Sequence, residues 1–304
     1  MGELMVKTWG RRIVGKGLRL VLRIAGRVYV PGSRLEDAMR VARRLSAQQL
    51  ACTLGYFHNW LEPQRQETPE QVAAVCRRII AAIAELPGQA YLSVKAPALA
   101  YDAGLLDQIA GAARDAGMLL HFDSHEPLTA DATLACVRNA LAEGAAVGLS
   151  VPGRWRRSLA DADLACELGV RVRVVKGEWP DPLDADMDMR EGFLRVVERL
   201  AGRAASVALA SHDPWLVREA LLRLRAAGTP CEIELLHGLP KRRLLALARE
   251  FSVPVRVYIP FGIAWRPYAL AKAADNPRLL WWVIRDSVVG LLLSLRRLPG
   301  RIWS

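Results

Sequence analysis

At 304 residues, 52% of them hydrophobic, the chain is long enough for one large domain or two small ones and apolar enough to bury a sizeable core, which argues against wholesale disorder. Five cysteines (Cys52, Cys76, Cys136, Cys166 and Cys231) stand scattered with no C-x-x-C pair, which fits a reducing compartment and speaks against a disulfide framework or a thiolate zinc site. The net charge of +11 and a pI near 9.9 call for an acidic partner or surface, yet no nucleic-acid motif accompanies the charge and the aromatics are not interleaved with it.

Residues 1–25 form a basic segment in which Lys7, Arg11, Arg12, Lys16, Arg19 and Arg23 alternate with Leu and Val. It is too charged throughout for a signal peptide and reads as an amphipathic surface element. From there the sequence beats regularly. A helical run over 33–47 leads into the short apolar run LACTLGYF. TPEQVAAVCRRIIAAIAEL is amphipathic, with Thr68 as N-cap and Glu70-Gln71 in the first turn. AYLSVKAP precedes the helix of DAGLLDQIAGAARDAG, and MLLHFDSH precedes LTADATLACVRNALAEG. AAVGLSVPG comes before RSLADADLACELG. VRVRVVKGEW runs through an acidic loop (Asp181, Asp184, Asp186, Asp188), read as solvated, to MREGFLRVVERLAG. ASVALASHD, CEIELLHG and VPVRVYIPFG follow, each with a helix behind it. The last helix carries Trp265, Tyr268, Ala271, Lys272 and Asp275 on one face. Residues 286–304 close the chain with the apolar run SVVGLLLSL and Arg296, Arg297 and Arg301; the interruption at Arg285-Asp286 leaves it too short to span a bilayer.

About eight short, β-branched runs, nearly continuous in apolar character and each followed by a helix, predict parallel strands buried on both faces. Strict alternation at this length predicts an α/β fold, a single (β/α)8 barrel over 26–285 with extra helices before it. An open doubly wound sheet is the competing architecture, but no switch point and no G-x-G-x-x-G supports it.

Barrel enzymes build their sites at the carboxyl ends of the strands. Polar residues fall there: Lys95, Asp123, Arg156, Arg173, Lys176-Gly177, Ser211-His212-Asp213, His237-Gly238 and Tyr258. A charged residue at one strand end is commonplace; a ring of them points to a shared ligand. Arg173, two positions before its run ends, must be paired, since a buried lone charge costs several kcal/mol (roughly). Either a carboxylate such as Asp123 or an anionic ligand would serve. Reduced flavin is such a ligand, and Lys176-Gly177 suits a pyrophosphate, the glycine letting backbone approach closely. His121, Asp123 and His125 alternate along one strand with His212 and His237 near by, which raises a metal-hydrolase reading; the lysines and the depth of His121 weigh against it.

These segments resemble the proline dehydrogenase family over nearly the whole chain. SVKAP, HFDSHE, RVVKGEW, SHD, IELLHG and VRVYIPFG match its motifs in order, and the helix with Tyr268 and Lys272 resembles its Tyr-x-x-Arg-Arg helix. The resemblance implies noncovalent FAD at the barrel mouth, oxidation of L-proline or a related cyclic amine, and electron delivery to a quinone by a cytoplasmic protein peripheral at the inner membrane face. It places Lys95, Tyr258, Tyr268 and Lys272 around the substrate, with Asp123 orienting the lysine. Arg173, Lys176, Gly177, Ser211 and His212 fall on the flavin. The departures are Pro152 and Glu234 for glutamines, His237 for a tyrosine, Ala271 and Lys272 for the arginine pair, and Asp275 for a glutamate. A family member that has lost flavin and binds a ligand or partner is the alternative function.

Overall fold

The computed structural model describes residues 31–59, 66–86 and 89–264. Helix α1 (Leu35–Ser46) precedes strand β1 (Ala51–Tyr56), and six βα units follow: α2 (Pro69–Ala84) and β2 (Ala90–Val94); α3 (Ala103–Asp115) and β3 (Leu120–Phe122); α4 (Ala130–Ala142) and β4 (Val147–Pro152); α5 (Ser158–Glu167) and β5 (Arg171–Val175); α6 (Met189–Leu200) and β6 (Val207–Ala210); α7 (Pro214–Ala226) and β7 (Cys231–Leu236). Helix α8 (Arg242–Phe251) and strand β8 (Val255–Phe261) complete the series. All neighbours pair in parallel, and β8 returns to β1 from Ala51↔Arg256 to Tyr56↔Phe261, closing an eight-stranded barrel. The alternation read from the sequence is therefore the barrel it predicted.

The helices start where their sequences say they should. Thr68 accepts a hydrogen bond from the Gln71 amide while the Gln71 side chain accepts from the Thr68 amide, a reciprocal cap with Pro69 in the first turn. Asp102, Asp188 and Asp213 cap α3, α6 and α7 by accepting from the amides of Leu105, Arg190 with Glu191, and Leu216. Each capping acid sits in a loop after a strand, so the caps also order the rim of the barrel mouth.

Between strands and helices lies one continuous apolar shell that includes Leu54, Leu92, Phe122, Val172, Val174, Leu209, Ile233 and Ile259, all buried. The inside of the barrel is different. Nearly continuous apolar strands were expected; instead β5 and β7 turn charged residues inward at alternate positions, and β8 adds Arg256. Arg171, Glu232 and Arg256 form a lower layer. The Arg256 guanidinium donates to Glu232 (2.6 Å) and to the carbonyls of Cys52 and Gln89 (both 2.8 Å), and Arg171 bonds the same Glu232 oxygen at 2.5 Å. The Tyr91 ring faces Arg256 at 4.2 Å. Burial alone would push the Glu232 carboxyl up, but the two guanidiniums outweigh it and hold it down. Flanking valines mask this period of two in the sequence, and charges of opposite sign on facing strands make it tolerable.

Candidate active site

One turn of pleat above that layer, Arg173 of β5 projects inward with a side chain 4% exposed. All three nitrogens of its fork are engaged. Nε and Nη2 donate to the two oxygens of Glu234 on β7, both at 2.8 Å. Nη1 donates to Asp123 at 2.6 Å and to Ser93 Oγ at 3.2 Å. Glu234 is equally saturated, accepting as well from Thr53 Oγ1 at 3.1 Å and Tyr91 Oη at 3.5 Å. The carboxylate partner foreseen for Arg173, Asp123, is present, and a second one, Glu234, is bound more completely. Bidentate, desolvated pairs of this kind are strong and geometrically exacting.

Asp123 follows β3 and joins the floor to the mouth. Its Oδ1 takes Ser93 (2.8 Å) and Arg173; its Oδ2 takes the Tyr258 hydroxyl (2.9 Å) and Lys95 Nζ (3.2 Å). Burial pushes this carboxyl up, yet Lys95 and Arg173 more than offset it, so it stays ionised well below the usual carboxylate range. The Tyr258 phenol is driven the other way, far above its ordinary value, by burial and by the Asp123 charge. It therefore donates to Asp123 as a neutral hydroxyl and accepts from Lys95 at 3.3 Å. The Lys95 ammonium also lies 4.0 Å from the Phe57 ring. Gly55 on β1 makes room for Tyr258: a Cβ there would lie 1.9 Å from the phenol oxygen.

Above this floor opens a cleft of about 640 Å³. Phe57, Val175, Ala210 and Leu236 give it apolar walls; His125 and Trp179 form one lip, their rings 5.6 Å apart. Ser211 is buried and accepts from the Asp213 amide at 3.2 Å. His212 lines the cleft, but both ring nitrogens serve backbone. Nε2 accepts from the Leu236 amide (2.9 Å), so Nδ1 carries the proton and donates to the Pro240 carbonyl (3.1 Å). Burial lowers its pKa to about 4, keeping the ring neutral. Lys176 stands 3.6 Å from Asp213, with a side chain about one third exposed (35%). Gly177, at φ +92°, passes so close to Pro152 and Arg154 that a Cβ would meet them at 2.9 and 2.8 Å. Pro152 ends β4 buried, its carbonyl accepting from the Ser158 hydroxyl.

Two readings from sequence need correction. The acidic loop is not simply solvated. Asp181 is buried and accepts from the amides of Arg156 and Leu183, both at 2.8 Å, and Asp188 is a helix cap. With Trp155 Nε1 donating to the Trp179 carbonyl (2.9 Å) and Arg154 to that of Glu178 (3.0 Å), these contacts pin the loop beside the cleft. And the floor contains more than sequence reasoning named. Ser93, Ser150 and Thr53 belong to it, and Glu234, which the sequence showed only as a departure at a glutamine position, is the main partner of Arg173; Glu-x-Glu in CEIELL, with Arg-x-Arg in VRVRVV, was the available signal. His121 lies below the cleft, its Nε2 3.0 Å from Ser150 Oγ and its ring stacked on Tyr91. Trp265, Tyr268, Ala271, Lys272 and Asp275, like both basic termini, lie outside the described residues.

No protein-family model matches the chain. It is similar to proline dehydrogenase 1 of Bacillus subtilis (strain 168), 24% identical over 280 residues that cover 86% of this chain and 90% of that one. It is similar also to the proline dehydrogenase of Deinococcus radiodurans, 25% identical over 284 residues, 86% of this chain and 89% of the relative. Among solved structures, proline utilization A from Bdellovibrio bacteriovorus superposes on 91% of the chain with a TM-score of 0.73 at 14% identity. The corresponding protein from Corynebacterium freiburgense does so on 93% with 0.67, also at 14%. The chain spans 35% of each of those two longer proteins; at that identity the likeness speaks for the barrel fold.

Proposed function

We propose that the chain is a divergent member of the proline dehydrogenase family and an FAD-dependent oxidoreductase that removes a hydride from the carbon beside a secondary amine, L-proline or a related cyclic amine. The observation that carries this reading is the Lys95–Asp123–Tyr258 cluster set against Arg173 at the bottom of an apolar-walled cleft, at the strand ends where barrels do chemistry.

The residues present fit a flavin. A planar ring suits apolar walls closed by Trp179 and His125. The close-passing backbone at Gly177 suits an anionic tail, with Lys176 next to it in the chain and partly exposed; Arg173, Ser211 and the face of the His212 ring complete the candidate contacts. FAD, when bound, would supply the two-electron acceptor. The chain's own groups do the rest. Phe57, Val175 and Leu236 exclude water from the reacting carbon. Lys95 is oriented by Asp123 and Tyr258, so it presents a fixed donor to the substrate. Asp123, fully hydrogen-bonded and held ionised, positions rather than abstracts a proton. Electrons would pass on to a quinone at a membrane surface, a reading supported by the interleaved basic and apolar residues of the two ends; among the described residues no helix is long and apolar enough to cross a membrane.

Protein purified with added FAD should absorb near about 450 nm, a property of the cofactor, and should bleach anaerobically when a cyclic secondary amine is added. Colourless protein that takes up no flavin in titration would overturn the oxidoreductase reading and leave a ligand-binding barrel.

A further inference from the structure

The four ionised groups at the cleft floor among the described residues are Lys95, Arg173, Asp123 and Glu234, two cations and two anions bound to one another. Their charges cancel. Glu234 is the group that closes the balance. It takes Nε and Nη2 of Arg173 together, and its two oxygens receive two guanidinium donors and two hydroxyls, so it is an acceptor at every lone pair. Asp123 already neutralises Lys95. Without Glu234 the floor would carry one net positive charge in a desolvated site, where such a charge acts strongly on a ligand a few ångströms away.

We propose that Glu234 is a specificity-determining residue of this cleft: by cancelling the charge of Arg173 it removes the floor's attraction for a carboxylate and shifts the preference toward cyclic amines that lack one. This rests on the amine-oxidising reading above and narrows its substrate class. Proline and pyrrolidine differ only in the carboxylate, so the ratio of their affinities isolates the contribution in question. Any effect of Glu234 on the shared ammonium cancels in that ratio. The variant Glu234→Gln is close to isosteric. Its amide oxygen keeps one bond from Arg173, and the hydroxyl on the side of the amide nitrogen, Thr53 or Tyr91, can turn to accept from it.

The test is calorimetric titration of the purified full-length protein with L-proline and with pyrrolidine, wild type and Glu234→Gln, after circular dichroism shows that the variant is folded. In the wild type, pyrrolidine should bind at least as tightly as proline. In Glu234→Gln the ratio should move toward proline by about fivefold or more, as expected of one unit charge removed from a partly desolvated site. Tighter binding of proline than pyrrolidine by the wild type, or a folded variant with a smaller shift, overturns the proposal; so does the binding of neither ring. If the variant does not fold, the wild-type ratio alone decides. Visible absorbance of the same samples separates the two levels of inference. Colourless protein with the expected ratios would fail the flavin reading and leave the role of Glu234 standing, whereas yellow protein with the opposite ratios would do the reverse.

Discussion

His212 lines the cleft yet spends both ring nitrogens on backbone, between the Leu236 amide and the Pro240 carbonyl. That exchange has a pH signature. Its folded pKa of about 4 lies below the ordinary 6.5 because burial penalises the imidazolium. The unfolded chain therefore takes up a proton first as pH falls. The stability contributed by the neutral ring is fully present above about 6.5 and is lost progressively toward 4. His237, lowered to about 4 by burial and by Lys241, acts in the same direction. We expect the melting temperature to decline between pH 6.5 and 4, and His212→Gln to flatten part of that decline, by roughly 1–3 kcal/mol across the window. Thermal melts of both proteins across that range test this; a variant with the wild-type slope would show that the ring titrates alike folded and unfolded. Asp123 contributes with the usual carboxylate sign, its folded value being depressed, so its stabilisation is lost only at more acid pH.

At the scale of elements, the closing seam between β1 and β8 is built around a missing side chain. Thr53↔Tyr258 and Gly55↔Pro260 are register partners, and the Tyr258 ring folds over Gly55 to reach Asp123 and Lys95. Gly55→Ala would place a methyl group 1.9 Å from the phenol oxygen and 2.4 Å from the adjoining ring carbon. The ring must move out, Asp123 loses a donor, and Lys95 loses an acceptor. Overpacking of this kind costs about 1–3 kcal/mol. Denaturant melts should show that loss, and any amine oxidation should fall further than after Tyr258→Phe, which removes the hydroxyl and leaves the ring seated. Equal activity in the two variants would mean that the hydroxyl alone, and not the position of the ring, matters.

The barrel's interior nearly balances its charges, Lys95, Arg171, Arg173 and Arg256 against Asp123, Glu232 and Glu234, in a chain with net charge +11. Nearly all of the excess is therefore carried outside these two layers, and the sequence concentrates much of it in the two ends. Each Lys or Arg near an anionic bilayer contributes about 1 kcal/mol. Cosedimentation of the full chain with phosphatidylserine-containing liposomes should therefore be strong at low salt and weaken as salt rises. Indifference to both lipid charge and salt would exclude membrane docking by the ends.

Strand and helix order were legible because local chemistry writes them: β-branched runs of strand length, helical runs between them, and Thr68 with Gln71 at a helix start. Lys95, Asp123, Arg173 and Tyr258 could be singled out because strand ends in a barrel converge on one mouth. What the sequence could not disclose was which charge answers which. Arg173 and Glu234 stand 61 positions apart, Asp123 and Tyr258 135 apart, and only barrel closure brings their strands within reach. The period of two in CEIELL, masked by its apolar neighbours, carried the position of an inward Glu234 but not its partner. A buried guanidinium looks the same in one dimension whether it awaits a ligand or is already satisfied. The chain by itself determined that its polar groups would meet at the carboxyl ends of eight strands. Closure of the sheet decided that two of them would neutralise two others, because the energy of a buried charge depends on distance in space, and sequence order does not encode it.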